Sequence, residues 1–387
     1  MAENREAVLS PEEEKFVKSL ALKSVAAGVT HPLTAARTLI QLGHEPFPLS
    51  TGRVFICAGR NAYFLPNVFS YTENLTQALP RSECIYSLIQ PITLAVHQLA
   101  KDRGVKVLFT GIDSALVGLA VQGIAAHKAT QFIDTHYPTI GGPKENEDVE
   151  EEDLTDHDSF RRALRHAMRD TVIRCVAVTA ARPFTVVMIR QIAQLIGNET
   201  KYTSVFPSLR LIGLQEGPGG LFSGLVPQIV GETIVIFGVH FGIWAMERAI
   251  LRSGVVENVK NEKGKKASQP NQEHMGTRFR RTHLEHSIMN RDELKDLRTF
   301  VHAAIPFVLN SFGHPYSVVS AVMGVVGSGL AVSFLPYSPT FSNWHNAWDY
   351  LHPHGLKRGA RLFLREQTGA VTVGADRQLY ASTKYFA

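Results

Sequence analysis

Long apolar runs separated by polar stretches divide this chain, and the clearest of them covers residues 225–246, where Glu232 is the sole Asp, Glu, Lys or Arg. At ~1.5 Å rise per residue such a run is long enough for a membrane-spanning helix of about 20 residues. A carboxylate at mid-bilayer costs roughly 2.5–3.5 kcal/mol on insertion scales, so Glu232 is expected to face other helices, a polar cavity or the headgroups. A central helix of a soluble protein would show the same pattern, and this segment alone leaves both readings open. Similar helices are predicted over 16–42, 112–132, 171–196 and 299–322. The last begins a stretch, 299–348, with no Asp, Glu, Lys or Arg. That stretch is the strongest membrane signal in the chain.

The apolar runs recur in a pattern. His31-Pro32, Arg182-Pro183 and His314-Pro315 each interrupt a small-residue or aliphatic run, and each proline should kink its helix. Leu108-Phe109-Thr110-Gly111 and Leu221-Phe222-Ser223-Gly224 each introduce an apolar helix, and the two final glycines lie 113 residues apart. Three related helix pairs are therefore predicted. The divisions are a polar tail 1–15, a first repeat 16–137, an acidic linker 138–158, a second repeat 159–256, a polar linker 257–297 and a third repeat 298–387.

Within these, Ser10, Pro11 and Glu13 suit a helix start. Residues 53–79, with aromatics interleaved by Arg60 and Asn67 around Pro66, read as short or broken helices near an interface. Residues 84–99 read as an amphipathic helix cut at Pro91. After Leu362-Phe363 the chain carries Arg365, Glu366, Asp376, Arg377 and Lys384. No ordinary spanning helix fits there, so the third repeat is expected to lack its second helix.

Composition narrows the chemistry. The mean hydropathy of -0.03 looks soluble only because charge is concentrated in the linkers. A net charge of +5 without a basic stripe interleaved with aromatics argues against a nucleic-acid partner. Cys57, Cys84 and Cys175 have neither the number for a disulfide framework nor the spacing for zinc. No nucleophile constellation, His-Glu-x-x-His segment or phosphate loop is present, so neither enzymatic chemistry nor a cofactor is expected. The acidic N-terminus suits neither a matrix-targeting helix nor a secretory signal, which puts the expected membrane address in the body of the chain. Arg174, Arg182 and Arg190, eight residues apart, can share one helix face; they line a wet groove and the interfaces, or the segment is not fully inserted.

These features together resemble the mitochondrial carrier superfamily, and more closely its divergent carrier-homologue subgroup. Glu216-Gly217 with Phe222 and Gly224 is similar to the second half of the carrier motif, with Ser223 where a basic residue is usual. Gly104, Phe109 and Gly111 match it with Thr110 in that place. In the first half, Pro32, Pro183 and Pro315 are followed by Thr34, Thr185 and Ser317 where an acid is usual, while Arg37 keeps the base. The resemblance runs over roughly residues 20–365. Without the acids, the salt bridges that gate a transporter cannot form at these positions.

The resemblance implies an all-α membrane protein, a carrier-like three-repeat bundle lacking its last transmembrane helix. It further implies a multi-pass protein of the mitochondrial outer membrane that inserts tail-anchored and other α-helical client proteins through a laterally open polar groove. Groove candidates by motif position are Arg37, Glu232 and His314, with Asp113 and Arg190 as weaker additions. Expected partners are those clients, membrane lipids and apoptotic regulatory proteins. Two other functions stay open: a receptor or scaffold in apoptosis and mitochondrial metabolism, and a solute carrier. Structural roles stay open for the candidates too, since Arg37 could snorkel to an interface, Glu232 could pair with an arginine and His314 could cap a broken turn.

Overall fold

The structure is a computed structural model that describes residues 11–43, 48–58, 61–70, 104–137, 154–253, 291–333, 341, 343–352, 356, 364–366, 371–373 and 379–381. Its body is helical, as the carrier-like fold class requires. Helix α1 covers Pro11–Gln41, α2 Ile112–His136, α3 Asp156–Ala193, α4 Val205–Gln215, α5 Pro218–Leu221, α6 Leu225–Arg252, α7 Arg291–Val325 and α8 Trp344–Leu351. Pro32 and Pro183 lie inside continuous helices, and α7 likewise runs through Pro315. Pro11 opens α1, as expected of a proline in a first turn. Ser10 and residues 84–99 lie outside the described residues.

Two sequence expectations are corrected. The helix expected over 171–196 instead starts at Asp156, and α3 runs without a break to Ala193. Its start is fixed by a capping box in which the Asp158 N–H donates to Thr155 Oγ1 at 3.2 Å and the Thr155 hydroxyl donates to Asp158 Oδ2 at 2.6 Å. No glycine or proline follows until Pro183, and the Thr171 hydroxyl bonds back to the Ala167 carbonyl at 2.7 Å, so nothing ends the helix. The second correction concerns residues 53–79. They begin not as broken helices but as a hairpin of β1 (Pro48–Ala58) and β2 (Asn61–Ser70).

The hairpin joins β3 (Leu364–Glu366), β4 (Val371–Val373) and β5 (Leu379–Ala381) in a sheet of order β3-β2-β1-β5-β4. Its pairings are antiparallel. The β1–β2 register shifts between Gly52 and Val54, beside Pro66, which has no N–H to give to the ladder. Residues 365–387 thus contribute strands, and no described helix follows α8.

Packing divides the chain into two compact units. The first comprises Met1–Ala129, Cys175–Val230 and His314–Ala387. In it, Ala35 and Leu39 of α1 meet Leu108 and Ile192, while Val186, Val187 and Ile189 of α3 pack with Ile212 of α4 and Ala321 and Val325 of α7. Helix α8 seats Ala347 and Leu351 on Val318 and Val319, and Trp348 lies 4.8 Å from the Tyr316 ring.

The second unit comprises Thr130–Arg174 and Gly231–Gly313. Here α3 and α6 run antiparallel, since Phe160 meets Phe241 and Trp244 while Arg174 meets Glu232. Gly238 and Gly242 form a small-xxx-small pair under α7. A Cβ on them would fall 3.3 Å from Leu309 and 2.9 Å from Ile305, so larger residues would push the helices apart.

Three helical segments are long and apolar enough to cross a membrane: Val105–His136, Asp156–Ala193 and Pro218–Arg252. Only 6% of the apolar window of the last is buried. A soluble protein would bury such a helix, so the soluble reading fails and the apolar surface, with Val226, Ile234 and Met246 exposed, belongs against lipid. Five spanning candidates were expected; α1 and α7, 31 and 35 residues long, have the length but not the same apolarity.

Candidate functional site

Two glycine turns organise the polar groups of the first unit. Gly104 and Gly111 have φ of 87° and 82°, and Gly217 and Gly224 have 71° and 70°, a left-handed backbone that favours glycine. In each turn the residue before the last glycine offers its carbonyl to the residue before a helix proline. His31 Nε2 donates to Thr110 O at 2.9 Å, and Arg182 Nε donates to Ser223 O at 2.8 Å.

Each turn also lies against a later helix. A Cβ on Gly111 would come within 3.3 Å of Met188 O on α3, and one on Gly224 within 2.5 Å of Ser320 O on α7. Met188 and Ser320 occupy the same place, five residues past Pro183 and Pro315. The recurrence seen in sequence is therefore a recurrence of contacts.

Around the second turn, the last carbonyls of α7 are received by side chains from α3 and the segments that follow it. Arg182 donates to Ser320 O at 3.1 Å, Ser223 Oγ to Met323 O at 2.6 Å, and Arg190 Nε to Gly324 O at 2.9 Å. Lys201 and the Tyr202 hydroxyl both donate to Ser328 O, at 2.7 and 3.0 Å. Met323 O and Gly324 O are orphan carbonyls of the last turn of α7, Ser328 O lies in the turn beyond it, and the cations there complement the negative end of the helix.

Arg182 is 1% exposed and meets no carboxylate among the described residues; Ser223 O, Ser320 O and Gln228 Oε1 surround its guanidinium. Arg190, expected at a groove, is instead sealed at 0% exposure and paired in bidentate fashion with Glu216, with Nη2 to Oε2 at 2.7 Å. It also donates to the Tyr202 hydroxyl at 3.3 Å. Burial raises the Tyr202 pKa above the ordinary phenol value, which keeps the hydroxyl a donor, and the nearby Arg190 opposes the shift.

Two of the sequence candidates are brought together. Arg37 Nη2 lies 2.8 Å from His314 Nδ1, joining α1 to α7. A guanidinium has no acceptor atom, so Nδ1 must carry a free lone pair and the bond requires a neutral imidazole. One turn on, Gln41 Nε2 donates to Ser317 Oγ at 3.4 Å. Arg37 is exposed whereas His314 is 5% exposed. Asp113 stands apart from this contact, half-buried, with Gln191 Nε2 at 3.5 Å. Gln191 is oriented by the Ser114 hydroxyl, which donates to its Oε1 at 2.6 Å.

Glu232 belongs to the second unit, where it accepts from Arg174 at 2.8 Å, the side chains 29% and 41% exposed. It is one rung of a ladder between α3 and α6. Asp170 meets His240 at 3.0 Å, and the adjacent Arg169 meets Asp134 of α2 at 2.7 Å. The Asp170–His240 rung went unnoticed in the sequence. Among the described residues no group of three or more His, Cys, Asp or Glu could hold a metal ion.

Comparison with known proteins fits this arrangement. The mitochondrial carrier protein family matches residues 163–252. Mitochondrial carrier homolog 1 of Mus musculus is 25% identical over 346 residues, covering 88% of this chain and 75% of that protein. Mitochondrial carrier homolog 2 of Mus musculus is 26% identical over 341 residues, covering 87% and 90%. Its Homo sapiens counterpart is 26% identical over 354 residues, covering 91% and 94%. With spanning helices, recurrent proline helices and glycine turns in place, the chain is a mitochondrial membrane protein similar over most of its length to the mitochondrial carrier homologues.

Proposed function

We propose that this protein is an insertase of the mitochondrial outer membrane for tail-anchored and other α-helical proteins. The observation that carries the reading is the Arg37–His314 contact, a polar junction of two proline-containing helices with its guanidinium exposed. A charge carried through bare hydrocarbon costs roughly 2.5–3.5 kcal/mol on insertion scales, and polar groups at that depth lower the barrier for a client's hydrophilic tail. Burial of the client's apolar helix in lipid drives the process, so no bond is made or broken and no cofactor takes part. Glu232 and Asp113, each half-buried beside one polar partner, are the next client contacts in this reading. Arg190 is not among them.

The test is reconstitution. Purified full chain in liposomes is expected to accelerate insertion of a tail-anchored client over empty liposomes, and equal rates in the two would sink the proposal. Thr34, Thr185 and Ser317, in place of gate acids, give no ionic gate for a solute carrier. Solute flux in the same liposomes is expected at background, and substrate-dependent flux would favour transport instead. Protease protection in isolated mitochondria tests the outer-membrane placement.

A further inference from the structure

Arg37 has an unusual position among the arginines of the first unit's proline helices. Arg182 and Arg190 are sealed, one among carbonyl and amide oxygens and the other against Glu216. Arg37 is exposed, and among the described residues its side chain bonds only to His314, a neutral imidazole, with no carboxylate. The place it occupies is covered elsewhere. Met188 and Ser320, each five residues past their prolines, carry the turns of Gly111 and Gly224, whereas Arg37, five past Pro32, has no described glycine turn packed on it. The position thus presents a cation with most of its donors turned to no partner among the described residues. Its polar surroundings are uncharged: Thr34 one turn before it, and Gln41 and Ser317 one turn after.

We propose that Arg37 is a charge filter that sets which client tails are admitted, favouring tails that carry carboxylates and disfavouring those that carry lysine or arginine. The inference rests on the insertase reading above and adds a substrate class to it. An uncompensated guanidinium in a poorly screened site attracts a carboxylate that can take its free donors in parallel, and repels a second cation. The Asp113 carboxylate bonds to Gln191 and makes no ion pair with Arg37 among the described residues.

The experiment uses the full chain in phosphatidylcholine liposomes and one tail-anchored helix bearing glutamate, serine or lysine in its translocated tail. The unaltered protein is expected to insert the glutamate tail about tenfold faster than the lysine tail, a barrier difference of about 1.4 kcal/mol. Arg37→Gln should abolish the difference and Arg37→Glu reverse it. A thermal unfolding midpoint in detergent equal to that of the unaltered protein would show that both variants are folded. Lys18→Glu, a charge change at an exposed position on the same helix, should leave the preference in place.

A second readout is independent of insertion. A photo-crosslinker attached at Thr34→Cys should capture glutamate tails more than lysine tails in detergent, and Arg37→Glu should invert the yields. Insertion that proceeds with the original preference in Arg37→Glu overturns the filter and leaves the insertase reading standing. Charge-dependent capture without insertion does the opposite.

Discussion

Arg182 and Arg37 stand one residue before and five residues after a helix proline, and they end in opposite environments. Arg182 fills a closed space bounded by two main-chain carbonyls and an amide oxygen, from the Ser223 turn, α6 and α7. Arg37 is exposed and, among the described residues, bonds to one imidazole. The difference teaches how to separate architecture from function in a protein with many intramembrane charges. A cation whose donors are taken by backbone holds helices together, and removing it leaves buried acceptors unpaired. A cation with one neutral partner contributes little to stability and is available to something that is not in the chain.

The largest effect that would test this contrast is expected at Arg182. Arg182→Met should strand Ser223 O, Ser320 O and Gln228, destabilising the first unit by about 3 kcal/mol or more. Thermal unfolding in detergent would register it, and an unchanged midpoint would show that the buried guanidinium is not a clamp. Gly224→Ala acts on the same seat, combining about 1–2 kcal/mol of left-handed strain with a Cβ 2.5 Å from Ser320 O. Gly219→Ala, where nothing lies within 4 Å of the added methyl, is the matched control.

Next comes Arg190→Gln, which leaves Glu216 facing a neutral side chain and should cost about 3 kcal/mol. If Glu216→Gln in the same background restores part of the loss, the pair is the cause; additive losses would exclude it. Glu232→Gln, at a pair with both side chains partly exposed, should cost about 1 kcal/mol at most, read in the same melt. Arg37→Gln should be smallest, within about 0.5 kcal/mol of the unaltered protein, because the one buried acceptor it serves, His314 Nδ1, can take an N–H from the replacement amide. A large destabilisation there would make Arg37 a second Arg182 and end the contrast.

Much of the helical frame was legible in the sequence, because prolines, glycine turns and uncharged runs are local signals. Gly111 and Gly224 were recognisable by their neighbours, and both adopt the left-handed backbone that makes them glycines. The fates of Arg37, Arg182 and Arg190 were not legible. All three lie within one or two turns of a proline, and exposure depends on which later segment covers that turn, a contact made across 100 or more residues for Ser223 and Arg182. The β1–β2 hairpin was missed because arginine and asparagine among the aromatics hid its alternation, and Pro66 looked like a helix break rather than a site of register shift. The continuity of α3 was missed because its charges suggested an interface where no residue ends the helix.

The seat that receives the end of α7 also fixes an order of assembly. Arg190 reaches Glu216 across 26 residues and Arg182 reaches Ser223 across 41, so these contacts close short loops. The bonds from the same two arginines to α7 span 134 and 138 residues. A growing chain can therefore complete the receiving surface before α7 has been synthesised. Helix α7 docks afterwards onto partners already in place, and the slow, long-range step of folding reduces to the arrival of one helix end.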